Sequence, residues 1–303
     1  MCDCIEATDI FVKTFNILRS NPRVVLPLLA FTLIIGGITL YYVFSLLNGL
    51  YGVNSFALGH HIKTNSSYLS TLIPFFEKIV MFILLLILVS FFITPLLTGF
   101  YISVANQGYI KSRISTGTAF SFAKKAYLTL LATELIIYAI WIAAIAILAL
   151  IFILPVGYFG RGIGTIIWLL LGGIISLIIL IFLGVLLYEA YPIAAMERVG
   201  AIGAIKRSVD VGWRKIREIF VVFLVTAAIL ISYITILGLL QTTLEFRAFI
   251  YYGVLSTSII IMQVINFIFG SGLNSWFLMV PVGFYKGYVE AEVENKPKNT
   301  KAE

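Results

Sequence analysis

Between Leu128 and Leu154 the chain carries 27 residues with a single charged side chain, Glu134. As a helix that run rises about 40 Å, more than the roughly 30 Å hydrocarbon core of a bilayer. Five other stretches share its character, at about 24–47, 77–104, 165–188, 219–240 and 254–283. In lipid the backbone polar groups must be satisfied within the chain, so only helices or closed barrels cross. The runs are continuous rather than alternating, which selects helices. The expected fold class is therefore all-α: a polytopic membrane protein with six transmembrane helices. Only 12% of the residues are charged, against about 25% in soluble domains. That is too little polar surface to cover a globule in water. The first 23 residues mix polar and apolar side chains without a short apolar core or a small-residue cleavage site, so no cleavable signal peptide is expected.

Charge sets the orientation. The N-terminal tail, the 105–127 and 189–218 loops and the C-terminal tail together hold 17 of the 21 Lys and Arg residues. The opposite side has Lys63, Lys78, Arg161 and Arg247. Basic residues concentrate on the cytoplasmic side of membrane proteins, so a multi-pass protein of the cell membrane with both termini cytoplasmic is expected. This bias accounts for the net charge of +7. No segment is long enough to form a basic soluble domain, so nucleic acid is not an expected partner.

The most charged segment, "AIGAIKRSVDVGWRKIREIF" at 201–220, has its own pattern. Ile202, Ile205, Val209, Trp213, Ile216 and Phe220 recur at helical spacing, while Lys206, Arg207, Asp210, Arg214 and Arg217 fall mostly elsewhere. A helix with a narrow apolar stripe and a basic remainder lies in the membrane interface. Trp213 suits the headgroup level. Two readings stay open: the basic residues contact anionic headgroups, or the stripe packs on protein and the charges set topology. Similar segments stand at 6–25 and 117–131. The first sets Ile10, Phe11, Thr14, Phe15, Ile17 and Leu18 against Asp9, Lys13, Asn16 and Arg19, and Pro22 follows. The second sets Phe120, Ala123 and Tyr127 against Ser121, Lys124 and Lys125. Three cytoplasmic interfacial helices are therefore expected, each leading into an outward span.

The returning spans also resemble one another. They end in "ITPLLTGFYI", "EAYPIAAMER" and "MVPVGFYKGY", with Pro95, Pro192 and Pro281 spaced 97 and 89 residues apart. A proline inside a helix removes a hydrogen bond and kinks it, so kinks are expected at all three. Three degenerate two-span repeats of one orientation follow, at about 5–111, 112–200 and 201–290, within a single integral membrane domain covering 1–303. Residues 291–303 read as a charged, flexible cytoplasmic tail. "PVGYFGRGIG" at 155–164 reads as a tight turn joining spans three and four.

"AIKRSVDVGWRKIREIF", "YPIAAMERVGAIGAIKRS" and "VPVGFYKGYVEAE" resemble segments of six-span proteins related to the membrane domain of glycerophosphodiester phosphodiesterases. The resemblance runs the length of the chain and is strongest at about 188–220 and 281–290. It implies architecture. Lys286 and Glu290 stand where that family has an acidic and then a basic residue at the exit. A soluble phosphodiesterase domain is lacking, so that enzyme's activity does not carry over.

Ionisable groups inside a bilayer default to functional hypotheses. Glu134 is the clear candidate. It could serve a polar path, reach the interface, or pair with Lys124 or Lys125. Glu189, between Tyr188 and Tyr191, could cap or pair with the basic helix that follows. Gln263, Asn266, Ser271, Asn274 and Ser275 line the last span; they could bond across packed neighbours, or "GSGLNSW" could break the helix around a cavity. Asn106 and Gln107 follow span two. His60 and His61 are adjacent, and neighbours on a helix point about 100° apart, a poor metal pair. Cys2 and Cys4 cannot make a tetrahedral site alone. Asn65 begins a glycosylation triplet, which also arises by chance. Catalytic and phosphate-binding motifs are missing from the chain, so no enzyme activity, metal or cofactor is expected. The leading expectation is a non-enzymatic membrane protein. It engages lipid or a membrane partner through a basic cytoplasmic collar: Lys206, Arg207, Arg214, Lys215 and Arg217 for anionic headgroups, and Trp213 as anchor. The runner-up is a transporter or channel using Glu134, Gln263, Asn266 and Asn274. A protein partner or homo-oligomer is not readable from these patterns.

Overall fold

The computed structural model describes the backbone of residues 7–39, 42, 66–110, 114–156, 162–197, 199–252 and 257–290, and the side chains of 8–39, 42, 77–110, 114–156, 162–197, 199–233, 235, 236, 239 and 268–288. Cys2, Cys4, His60, His61, Asn65, Arg198, the middle of the 155–164 turn and the 291–303 tail lie outside the described residues. So do the side chains of Gln263 and Asn266.

The described chain is all-α. Helices α1 (Ala7–Ser20) and α2 (Pro22–Thr39) are followed by α3 (Ser66–Ile110) and α4 (Thr116–Ile153). Next come α5 (Ile163–Leu187), its short continuation α6 (Ala190–Met196) after a turn at Tyr188 and Glu189, and α7 (Ala201–Arg214). The long helices α8 (Ile216–Tyr252) and α9 (Thr257–Phe284) complete the set, and α9 widens into a π turn over Tyr285–Glu290. Among the described residues five helices are long and apolar enough to cross a membrane: α2, α3 from Glu77, α4, α5 with α6, and α8 over Ile216–Tyr233. This is a multi-span membrane protein. The last expected span coincides with α9, which is 28 residues long.

Local sequence sets the boundaries. Asp9 in the first turn of α1 and Arg19 in its last complement the helix dipole, and Pro22 opens α2 with a 3₁₀ turn. Ser115 caps α4, its Oγ accepting from the Thr118 N–H at 3.4 Å. Gln107 braces the same join, its Oε1 accepting from the Ser115 N–H at 2.9 Å. Spans three and four form a hairpin. Trp168 Nε1 donates to the Phe152 carbonyl at 3.1 Å, and Gly172 leaves no room for a Cβ against the Phe152 ring.

One expectation needs correction. The 117–131 segment is not a separate interfacial helix: it is the first part of the unbroken α4. Nothing between Ala119 and Leu131 breaks a helix, whereas Lys215 leaves helical geometry between α7 and α8 (φ −116, ψ 31). The three prolines sit in different settings: Pro95 and Pro281 lie inside continuous helices, and near Pro192 the helix gives way to a turn at Tyr188 and Glu189.

The core gathers at one end of the bundle. Its largest fully buried side chains include Ile10, Phe100, Tyr101, Ile193, Ile219, Met279 and Phe284. Toward the other end α4 and α5 expose large apolar side chains such as Ile142, Leu150, Ile166 and Leu170. That face matches lipid, which is as apolar as leucine.

At the packed end, three amphipathic segments dock on the helices that finish there. The start of α4 lies on α3, where a Cβ on Gly99 would come 3.0 Å from the Ala123 Cα. Helix α7 lies on α5, with Ser208 Oγ donating to the Leu186 carbonyl at 2.8 Å. Helix α1 lies on α9, and Gly283 sits directly beneath Ile10 and Tyr109. Each docked face has one spacing, i, i+4, i+7: Ile10–Thr14–Ile17, Ala119–Ala123–Ala126 and Ala204–Ser208–Val211. All nine side chains are buried except Ala126, which is partly so.

A polar link ties this end together. Tyr101 on α3 donates to the Val24 carbonyl at 3.0 Å, and Ser275 Oγ of α9 lies 2.9 Å from the Tyr101 hydroxyl. Interhelical hydrogen bonds inside membrane proteins contribute about 0.6 kcal/mol on average and up to about 1.7. Tyr101→Phe should therefore lower stability by about 1 kcal/mol. Its thermal unfolding midpoint in detergent, compared with wild type, checks this; an unchanged midpoint would remove the link from the account.

Candidate functional site

Helix α7 is the most polar element of the packed end, and its limits are set by Gly200 in extended geometry (φ −63, ψ 162) and by Lys215. Fourteen residues rise about 21 Å, too little to cross a bilayer. The helix carries three faces. The docked face is small: Ala204, Ser208, Val211 and Gly212 are buried. A Cβ on Gly212 would come 2.9 Å from the Leu186 Cα, so the backbones of α7 and α5 nearly touch.

The large apolar stripe expected from sequence is a different face. Ile205, Val209 and Ile216 are half-buried along the edge of the contact. Ile202 is 64% and Trp213 59% exposed. The Trp213 indole rests edge-on against Phe182 of α5, ring centroids 5.2 Å apart, with the rest of its surface outward. Lys206 is exposed between them, one turn after Ile202 and two turns before Trp213.

The third face is charged and internally paired. Asp210 accepts from Arg214 at 2.9 Å and lies 3.9 Å from Arg207. Arg207 also lies 3.8 Å from Glu197, which in turn accepts from the Tyr285 hydroxyl at 3.1 Å. Arg207 and Arg214 are thus partly neutralised by the protein. Among the described residues no ion pair reaches Lys206, Lys215 or Arg217; Lys206 and Arg217 are exposed and Lys215 is half-buried.

The other segments add to the same end. Lys124 and Lys125 are exposed on α4, and Lys13 of α1 sits 4.5 Å above the Tyr109 ring, a cation–π contact. Where α3, α6 and the π turn converge there is a cavity of about 240 Å³, lined among others by Asn106, Phe122, Met196, Tyr285 and Lys286.

The remaining sequence candidates disperse. Glu134 is buried on α4 and is not paired with Lys124 or Lys125: its Oε1 accepts from Tyr138 at 3.0 Å and its Oε2 has no hydrogen-bond partner among the described residues. Glu189 neither caps α6 through its side chain nor pairs with α7. On α9, Ser271 meets Thr32 at 3.3 Å and Ser275 meets Tyr101, while Asn274 is exposed. Pro95 and Pro192 are buried, and Pro281 partly so. The docking face of α7 escaped the sequence reading. Its signal was present as three small residues, Ala204, Ser208 and Gly212, spaced four apart. Among the described residues no three His, Cys, Asp or Glu side chains gather as metal ligands.

A family model described as Domain of unknown function (DUF7847) matches residues 5–287. No curated protein and no solved structure matches the chain.

Proposed function

The chain belongs to the DUF7847 family, and we propose that it is a non-enzymatic six-span protein whose amphipathic collar engages anionic lipid at the cytoplasmic leaflet. The observation that carries this reading is the outward line Ile202–Lys206–Trp213 on a helix whose small-residue face is already docked. With its protein contact made by another face, this line remains for the surroundings, and it pairs apolar anchors with a cation. That is the composition of a helix lying in the interface. Burying one large apolar side chain contributes roughly 1.5–3 kcal/mol and each basic residue near an anionic surface roughly 1 kcal/mol. Anchor and charge are therefore of similar weight.

The matching i, i+4, i+7 faces on α1, α4 and α7 support three repeats, the second with its amphipathic segment fused to its span. The Lys and Arg bias supports cytoplasmic termini. Kinship with the membrane domain of glycerophosphodiester phosphodiesterases belongs to the same reading and rests on the 188–220 and 281–290 motifs.

The test is lipid retained by the purified protein. Lys206→Gln with Arg217→Gln should lower retained phosphatidylglycerol relative to phosphatidylcholine by up to about thirtyfold, from two unpaired charges of roughly 1 kcal/mol each. Arg207→Gln with Arg214→Gln should do less, because Asp210 and Glu197 already hold those guanidinium groups. Equal retention in all three proteins would leave the collar's charges with a topological role and end the lipid reading.

A further inference from the structure

We infer that the cavity at the ends of α3, α6 and α9 seats the phosphate of one anionic phospholipid, held by Lys286 and Asn106. This deepens the collar reading, and rests on it for placing the packed end at the level of the headgroups.

Three helices finish at this cavity. Asn106 and Ile110 belong to the end of α3, Met196 is the last residue of α6, and Tyr285 and Lys286 open the π turn that ends α9. Phe122 of α4 adds to the wall. A π turn is rare and recurs at functional sites. The three ends are those of the expected returning spans, so one seat per chain results, unlike the dispersed charges of the collar.

Size and lining narrow the occupant. The cavity holds about 240 Å³, the volume of about eight waters at roughly 30 Å³ each. Ordered water needs polar partners on several sides, and Ile110, Phe122 and Met196 offer carbon. Lys286 is the only charged side chain among the described lining residues, so its ammonium favours an anion. The Glu197 carboxylate, which the Tyr285 hydroxyl reaches at 3.1 Å, faces Arg207 at 3.8 Å.

Asn106 supplies a second donor. Its neighbour Gln107 is committed to the chain join, accepting from the Ser115 N–H at 2.9 Å and donating to Ser103 Oγ at 3.2 Å. The Asn106 Oδ1 has no hydrogen-bond partner among the described residues. An asparagine amide turns readily about χ2, and its NH₂ end donates to an anion. One ammonium and one amide against a wall of carbon match a phosphate that carries its own carbon, which inorganic phosphate lacks. The space fits a headgroup and not the acyl chains. Ile110 is 63% exposed, so the mouth lies at the surface, where the chains stay in the bilayer.

Native mass spectrometry of the delipidated full-length protein, titrated with phosphatidylglycerol, tests the seat. Wild type should hold one lipid per chain at least about tenfold more tightly than the rest, the worth of a hydrogen bond between charged partners. Lys286→Gln should weaken that lipid by about tenfold and leave the others in place. Asn106→Leu should do the same, and either variant decides if the other does not fold. Wild-type binding without one tight lipid would overturn the seat, as would a tight lipid unchanged in these variants. Radioactive inorganic phosphate bound at about one per chain, with no tight lipid, would overturn the lipid as occupant. The collar variant Lys206→Gln with Arg217→Gln should lose the weaker lipids and keep the tight one. A tight lipid beside an ineffective collar variant would sink the collar alone; graded loss without a tight lipid would sink the seat alone.

Discussion

Leucine in place of Gly212 should unseat α7 and cost about 3 kcal/mol, near the upper end for overpacking a tight contact. A Cβ at this position would come within 2.9 Å of the Leu186 Cα and 3.3 Å of the Leu186 carbonyl oxygen. Both are backbone atoms, so no rotamer change makes room. Separating the helices would also break the 2.8 Å bond from Ser208 to that carbonyl. At roughly 2 °C or more per kcal/mol for a chain of this size, the unfolding midpoint should fall by about 6 °C or more. Gly203 is the control on the same helix. A Cβ there meets only the Val199 Cβ at 3.5 Å, and leucine propagates a helix better than glycine by up to about 1 kcal/mol. Gly203→Leu should therefore be neutral or mildly stabilising. Equal midpoints for the two variants would mean that α7 is not held by its small-residue face.

That contact also explains where sequence reasoning stopped. The apolar runs determine helices because a bilayer admits little else, and α2 to α5 fall where those runs lie. Helix α7 was legible as a separate amphipathic piece from its charges. Which of its faces touches protein was not. Hydropathy ranks Ile202 and Trp213 above Ala204 and Ser208, and in water the larger pair would be buried. In a membrane the surroundings are apolar too, so burial of large side chains gives no preference for protein over lipid. Close backbone approach does, and it favours small residues. The fusion of the 117–131 segment into α4 was hidden for another reason. Amphipathicity is compatible with either a flat helix or the end of a long one, and only a break such as Lys215 tells them apart. At Glu189 the sequence suggested a carboxylate beside a basic helix. The two arginines of that helix have nearer partners in Asp210 and Glu197, spacings that a linear reading could have weighed.

The three docked faces share a geometry but differ in what fills it. Ala119 and Ala123 give α4 a flat contact on Gly99, and Ser208 gives α7 a hydrogen bond. Helix α1 uses bulk: Ile10, Phe11 and Ile17 are buried. It alone has no covalent continuation across the join with α9, so packing must do what chain connectivity does elsewhere. Phe11 meets Trp276 edge-on at 5.7 Å, and the Trp276 indole donates to the Phe11 carbonyl at 3.3 Å.

Aspartate at position 10 should consequently cost the most, about 4 kcal/mol or more. Ile10 is 1% exposed, and a Cβ added to Gly283 would meet its Cγ2 at 2.6 Å. The substitution removes roughly 2 kcal/mol of apolar burial and places an unpaired carboxylate in the same space, a change in the 3–5 kcal/mol range by itself. Gel filtration in detergent should show Ile10→Asp aggregated or unfolding well below wild type. Val12 sits on the opposite side of α1 and is 59% exposed. Val12→Asp should keep the wild-type unfolding midpoint and instead retain less anionic lipid, because it puts negative charge on the face that the collar reading turns toward the headgroups. A stable, monodisperse Ile10→Asp protein would detach α1 from the core. It would also remove the first of the three matching faces on which the repeat architecture rests.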